Sequence, residues 1–347
     1  MLAAGLAAHG ADVIACNVPL GLDTAARVAM LRQPWRLPLL AWRLAVSWSR
    51  LIRRARKAGP VDVVLVGYLG HFDVVLARVL FRRTPIALDH LVGARDTALD
   101  RGARGQLTGM LLGALDRLAT ACADVVIVDT AEHLESLRPP ARAKGVVAAV
   151  GAPDEWFTAR RDSAPVPSGA AQHPLRVVFF GQFAPLQGAP VIAAALAQLP
   201  PDRVAATIIG TGQDLEATRA AARDAVIDWH GWVDPEELPG LVSTYDVCLG
   251  IFGTGTKAQR VVPNKVFQGA AAGCAIVTSD TPPQRRALGD AAVFVPPGDA
   301  TALAAALLDL AADNERVAEL RRRAAARADA QFTAGSVVAE LRERLPA

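Results

Sequence analysis

The sequence predicts an α/β protein made of two Rossmann-like, doubly wound domains facing each other across a cleft. Three observations lead there. Short β-branched runs alternate with alanine- and leucine-rich stretches along the chain, the written form of repeated βα units. The 347 residues are too many for one ordinary domain and ample for two. Hydrophobic residues make up 52% and charged residues 20%, enough apolar material for strands buried on both faces.

Strands are expected in the first half at Asp12–Cys16, Val61–Val66, Pro85–Leu88, Val125–Val128 and Val146–Val150. The second half adds Arg176–Phe180, Ala205–Ile209, Val226–Trp229, Val247–Ile251, Ala275–Thr278 and Ala292–Val295. Between them the chain from Thr158 to Pro174 is rich in Ser, Pro, Ala and Gly and has no periodicity, which marks a linker. The expected division is a first domain over 1–160, a linker over 161–174, a second domain over 175–325, and a C-terminal helix over 326–347 packing back on the first domain. Helical patterning covers Ala300–Asp313 and Glu315–Leu345. Met1 stands at the start of a helical stretch, Leu2–His9, where a Rossmann-like domain would open with a strand and a glycine-rich turn. The expectation is a start codon placed too far downstream, with the first strand missing.

Composition excludes several classes. A net charge of +3 is too small for a nucleic-acid binder of this size. Cys16, Cys122, Cys248 and Cys274 are widely spaced and form no CxxC pair, so buried thiols in a reducing compartment are expected. Basic residues or prolines interrupt every apolar run before the roughly 20 residues of a membrane span. The N-terminus lacks a basic start and a cleavage site, so a cytoplasmic location is expected.

Four stretches in the second half suit a diphosphate. Arg176–Phe180 runs into a loop holding Gly181, Gln182, Gln187 and Gly188 and then a helix, whose N-terminus offers free amides and a positive dipole end. Gly210 and Gly212 follow the next strand and allow close backbone approach. His230-Gly-Trp-Val-Asp-Pro-Glu-Glu-Leu then offers Gly231 and Val233 as backbone contacts for a base, with Asp234 and Glu237 in capping-box spacing. The strongest stretch runs from Gly253 to Gly273. Lys257, Arg260 and Lys265 cluster at a helix start with Pro263 in its first turn, and no acid lies between Asp246 and Asp280.

This order of elements resembles the retaining group 1 (family 4) glycosyltransferases of the GT-B fold, clearly from Arg176 to about Phe332. In the first half the likeness lies in layout and in patches such as Ala123-Asp-Val-Val-Ile-Val-Asp-Thr. The resemblance implies a nucleotide-diphosphate sugar as co-substrate, bound by the second domain, with the first domain on the acceptor side. Pro263-Asn264-Lys265-Val-Phe-Gln268-Gly-Ala-Ala-Ala-Gly looks like the helix in which a family glutamate grips the donor ribose; here that position is Gln268. The partner glutamate falls at Arg260, and the family's diphosphate-binding arginine and lysine fall at Gln182 and Gln187. Lys257, Arg260 and Lys265 are the expected replacements. The resemblance further implies transfer with retention and no dedicated nucleophile. The chain has no D-x-D, so no metal and no further cofactor are expected.

On the acceptor side, Val61–Val66 empties into Gly67-Tyr-Leu-Gly-His-Phe-Asp, which puts His71 at a strand's C-terminal end, where it could polarise a sugar hydroxyl or take its proton. The next strand is followed by Asp89, His90, Arg95, Asp96 and Asp100, of which Asp89 and Asp96 are the expected site residues. Between Leu31 and Lys57 stand eight basic residues, three tryptophans and no acid. Such a segment either lies on an anionic membrane surface at the inner face or packs on its domain with the arginines exposed. A lipid-linked or saccharide acceptor would suit the first case. A non-catalytic GT-B nucleotide-binding or scaffold partner of another transferase is the alternative to an enzyme; a sugar-nucleotide epimerase fits less well, because the second half supplies few carboxylates.

Overall fold

The computed structural model describes residues 1–19, 37–91, 93–100, 106–162 and 173–345. The chain divides into two compact units. One, here the N-terminal unit, holds Gly10–Val128, Leu134–Ala148 and Ala339–Ala347; the other, the C-terminal unit, holds Met1–His9, Asp129–His133 and Ala149–Val338.

The N-terminal unit carries a parallel sheet of β1 (Val64–Val66), β2 (Ile86–Asp89), β3 (Val125–Val128) and β4 (Gly145–Val147) in the order β1-β2-β3-β4. Val64 stands opposite Ile86, Ala87 opposite Val125, and Val126 opposite Gly145. Ile86, Leu88, Val126 and Val128 pack with Val74 and Ala119 from the helices Asp73–Leu80 and Gln106–Cys122. Two neighbouring strands therefore present the loops after Val66 and Asp89 at one sheet edge.

The C-terminal unit has six parallel strands, β5 (Leu175–Phe180), β6 (Val204–Ile209), β7 (Ile227–His230), β8 (Val247–Leu249), β9 (Ala275–Ser279) and β10 (Ala292–Val295), in the order β10-β9-β8-β5-β6-β7. Strand β5 is buried on both faces, with Val177 and Phe179 in one core layer and Val178 and Phe180 in the other. The order reverses between β5 and β8. In an open parallel sheet such a switch point opens a crevice beyond the carboxyl ends of the two strands.

Several expectations are corrected. Asp12–Cys16 forms no strand; it has no sheet partner among the described residues, and Val13 and Ile14 stay 43% and 50% exposed. The helix before it, Leu2–Ala8, packs within the C-terminal unit against Ala334–Val337, where Gly5 meets the Ala334 backbone and His9 Nε2 lies 3.0 Å from the Gly335 carbonyl. The helix Asp154–Asp162 runs into the stretch read as linker, because Trp156 and Phe157 bury in the C-terminal unit's core; residues 163–172 lie outside the described residues. The last helical stretch breaks after Gln331: the Thr333 hydroxyl caps a new short helix, Ala334–Val337, before Ala339–Arg344. That final helix packs beside β4 in the N-terminal unit.

Candidate functional site

At the switch point of the C-terminal unit, β5 ends at Phe180 and the chain turns at Gly181, whose φ of +140° suits glycine. From the helix Asn264–Ala271, which follows β8 and its loop, Lys265 reaches back to this turn. Its Nζ donates to Gln187 Oε1 and stands 3.7 Å from the centroid of the Phe179 ring. A Cβ at Gly181 would lie 3.2 Å from that nitrogen, so the missing side chain makes room for the lysine. Lys265 is only 4% exposed, and burial pulls its pKa down from 10.5 to about 7. The structure thus brings together Gly181, Gln187 and Lys265 from two distant stretches.

The other glycines of these loops have a packing role that the sequence did not reveal. Gly188, at φ +66°, lies against the Phe252–Gly253 backbone, and a Cβ there would come 2.5 Å from the Phe252 carbonyl carbon. Gly210 abuts the Gly181 carbonyl, and Gly212 would place a Cβ 2.7 Å from the Phe183 amide nitrogen. The loops after β8, β5 and β6 therefore stack backbone on backbone. The close approach expected at Gly210 and Gly212 is made, with protein as its partner.

Lys257, Arg260 and Gln268 are half-buried, and Asn264 is exposed. Pro263 sits one residue before the helix with extended ψ of 150°, not inside its first turn. The Arg260 carbonyl accepts a hydrogen bond of 2.6 Å from Thr130 Oγ1, which ties the cation-bearing loop to the segment after β3. Beneath the loop lies a buried polar cluster: Gln284 bonds the Thr278 hydroxyl, the Ser279 carbonyl and the Thr281 hydroxyl, while Thr278 Oγ1 accepts from the Ile251 amide at 3.3 Å. This cluster fixes the end of β8 and was not expected from sequence; the polar run Thr278-Ser-Asp-Thr directly after the apolar strand Ala275–Val277 was its signal.

The third expected stretch is less well placed. Gly231 and the Gln182 side chain are exposed, and nothing lies within 4 Å of where a Gly231 Cβ would stand. Val233 packs against the core. The capping box does not form: Asp234 Oδ1 accepts from the Glu236 amide at 3.0 Å, and the helix begins later, at Leu238, without a side-chain cap.

In the N-terminal unit His71 occupies the loop after β1 and is 6% exposed. Its Nε2 lies 3.1 Å from Asp116 Oδ1, and its ring meets the ring of His90 edge to face at 5.5 Å. Asp116 also receives the Ala94 amide at 2.8 Å and the Arg95 amide at 3.2 Å. Burial pushes the Asp116 carboxyl up, but the contact with His71 and the two amides outweigh it and hold the group below its ordinary value. Among the described residues His71, His90 and Asp116 are the group that could offer a cation three ligand atoms, all within 4.8 Å of one another. Both Asp116 oxygens already serve backbone amides, so the carboxylate has partners without an ion. Asp89 ends β2 half-buried, and Asp96 stands exposed in the first turn of Ala94–Asp100. Sequence reasoning missed Asp116; its signal was to be the one acid in the helix Gln106–Cys122.

The basic segment forms the helix Leu37–Ala58, and residues 31–36 lie outside the described residues. Trp42 is 65% exposed, while Trp48 donates to Asp73 at 3.0 Å and so faces its own unit. No described helix is long and apolar enough to cross a membrane.

Residues 174–313 match the model of the family described as "Glycosyl transferases group 1". No curated protein matches by sequence. Solved structures with a similar fold include HepE from Anabaena, in complex with UDP, at 16% identity and a TM-score of 0.62, over 87% of this chain and 82% of that one. Sucrose-phosphate synthase from Thermosynechococcus elongatus aligns at 18% identity and a TM-score of 0.63, over 86% and 77%. TarM from S. aureus, solved with UDP and α-GlcNAc-glycerol, aligns at 10% identity and a TM-score of 0.59, over 82% and 55%. These likenesses establish the GT-B fold.

Proposed function

We propose that this chain, whose residues 174–313 match the model of the group 1 glycosyltransferases, moves a sugar from a nucleotide-diphosphate donor to a saccharide or lipid-linked acceptor, without a metal and with retention. The observation that carries this reading is the buried Lys265 held beside Gly181 and Gln187 at the β5–β8 switch point. A cation and the amides of a tight turn at such a crevice stabilise negative charge as it develops on a departing diphosphate. Lys257 and Arg260, on the loop that Thr130 anchors, would add positive charge, and Gln268 would hydrogen-bond the ribose. The N-terminal unit would supply the acceptor groups, with His71 polarising the acceptor hydroxyl or taking its proton and Asp89 and Asp96 orienting the acceptor.

HepE and TarM were solved with UDP, which supports uridine donors as the first to try. The test is hydrolysis or transfer from UDP, GDP, TDP and ADP sugars by purified protein. Turnover of one of them, lost on Lys265→Ala, supports the reading, and binding without any turnover contradicts it. A second reading, a nucleotide-binding scaffold without catalysis, draws on the neutral Gln182, Gln187 and Gln268 at positions where the family carries charge. Binding without turnover is its signature.

The helix Leu37–Ala58 supports a membrane-surface role in the same cytoplasmic setting, because it joins the exposed Trp42 to Arg50, Arg53, Arg54, Arg56 and Lys57, all exposed. Co-flotation with anionic vesicles at low salt is expected, and its absence contradicts the role.

A further inference from the structure

His71 and His90 put two buried imidazoles into the N-terminal unit, and Asp116 brings a carboxylate to the same point. The three come from separate elements: the loop after β1, the residue after β2, and the helix Gln106–Cys122. The carboxylate is provided for, since its two oxygens accept the Ala94 and Arg95 amides. The His71 ring is not. Its Nε2 is enclosed and stands 3.1 Å from Asp116 Oδ1, at the distance of a hydrogen bond but outside its direction, and it has no hydrogen-bond partner. A polar nitrogen buried in this way costs stability unless something else engages it.

We propose that His71, His90 and Asp116 form a site for one divalent transition-metal ion, with zinc as the first to try. Two imidazoles and a carboxylate, their ligand atoms all within 4.8 Å of one another, are the donor set such ions take. Ligands around a tetrahedral zinc stand about 3.3 Å apart, so a closure of about 1.5 Å at most completes the group. The 3.1 Å between Nε2 and Oδ1 is already near that separation. Each carboxylate oxygen has two lone pairs and gives one to an amide, so Oδ1 keeps one for the ion. The amides orient the carboxylate, as the outer partners of metal ligands do. Mg²⁺ and Ca²⁺ prefer oxygen ligands throughout and fit this set poorly. The ion would pin the loops after β1 and β2 to one helix. All three ligands belong to the N-terminal unit and the Gly181–Gln187–Lys265 cluster to the C-terminal unit, so the metal-free departure of the diphosphate is untouched. Ligation through Nε2 leaves His71 Nδ1 with its proton; on the acceptor-side reading above, the ring then polarises a hydroxyl as a donor. The site itself does not depend on that reading.

The test takes full-length protein stripped of metal and dialyses it against Zn²⁺ or Co²⁺, with His71→Gln and His90→Gln beside it. Wild type is expected to take up one ion per chain, with Kd raised at least about tenfold in each variant, and excess Mg²⁺ should not displace the ion. Co²⁺-loaded wild type should show hyperfine-shifted ring N–H signals from two histidines, a readout that requires no variant to fold. Uptake well below one ion per chain, equal Zn²⁺ affinity in wild type and both variants, or Co²⁺ spectra without two imidazoles overturns the inference. No nucleotide or sugar enters the experiment, so its failure leaves the transfer reading standing, and a lack of transfer by ion-loaded protein strikes that reading and not the site.

Discussion

Lys265 Nζ stands 3.7 Å from the centroid of the Phe179 ring, so an ammonium from one end of the β5–β8 switch point lies over an aromatic face of the core strand at the other. Such a contact is attractive, yet it does not offset the full cost of burying the charge. Burial accordingly lowers the lysine pKa to about 7. The charge is kept at a cost to stability, which is the mark of a group used for binding.

Replacing Lys265 by Met, of similar length, is therefore expected to stabilise the free protein by roughly 2 kcal/mol, seen as a rise of a few degrees in Tm at pH 6. The sign follows from linkage. The folded-state pKa lies below the unfolded value of 10.5, so the penalty is complete below about pH 7 and is relieved as pH rises towards 10.5. The stability advantage of Lys265→Met should shrink over that window, as thermal melts from pH 6 to 10 would show. A variant less stable than wild type at every pH contradicts this account.

Diphosphate binding should raise the lysine pKa, because an anion favours the charged form. Donor affinity is then greatest below about pH 7 and falls as pH rises above it. Near neutral pH, binding should take up a fraction of a proton. Calorimetry in two buffers of different ionisation enthalpy measures this, and an apparent enthalpy independent of buffer would refute it.

Gly188 and Gly231 make a contrast. Gly188→Ala must place a Cβ 2.5 Å from the Phe252 carbonyl carbon in a left-handed conformation, whereas Gly231→Ala meets nothing within 4 Å. Gly188→Ala is expected to cost about 2 kcal/mol or more and Gly231→Ala less than about 0.5 kcal/mol. Urea denaturation of both variants checks this; equal midpoints would show that the loop stacking is loose.

Thr130→Val removes the 2.6 Å hydrogen bond to the Arg260 carbonyl while keeping the shape of the side chain. Because that carbonyl belongs to the cation-bearing loop, donor KM is expected to rise about threefold or more with only about 1 kcal/mol lost from stability. Steady-state kinetics beside a melting curve separates the two effects.

The strands were legible because their signal is local. The β-branched run of Val125–Val128 reads as a buried parallel strand from its own residues, and Ala292–Val295 reads as a strand in the same way, although it forms the half-buried sheet edge. The same kind of run at Asp12–Cys16 misled, since strand formation also needs a neighbour, and this segment has none among the described residues. In the candidate site, the sequence pointed to Lys265 through a run without acids, but the partner Gln187 lies 78 positions away and only the fold joins them. Gly188 and Gly210 were recognised as special, yet what presses on them is backbone from another loop, which no spacing rule records. Asp116 was missed for the same reason: its helix reads as an ordinary apolar cover for a sheet, and its role appears only where His71, Ala94 and Arg95 converge.

The central claim is that the Gly181–Gln187–Lys265 cluster holds a nucleoside diphosphate, and calorimetric titration tests it most directly. UDP, GDP, TDP and ADP would be titrated in turn into wild-type protein and into Lys265→Ala at pH 6.5. The account predicts measurable binding of at least one of them, weakened at least about tenfold in the variant, a difference of about 1.4 kcal/mol. Equal affinity for both proteins, or no binding of any of the four by the wild type, would contradict it.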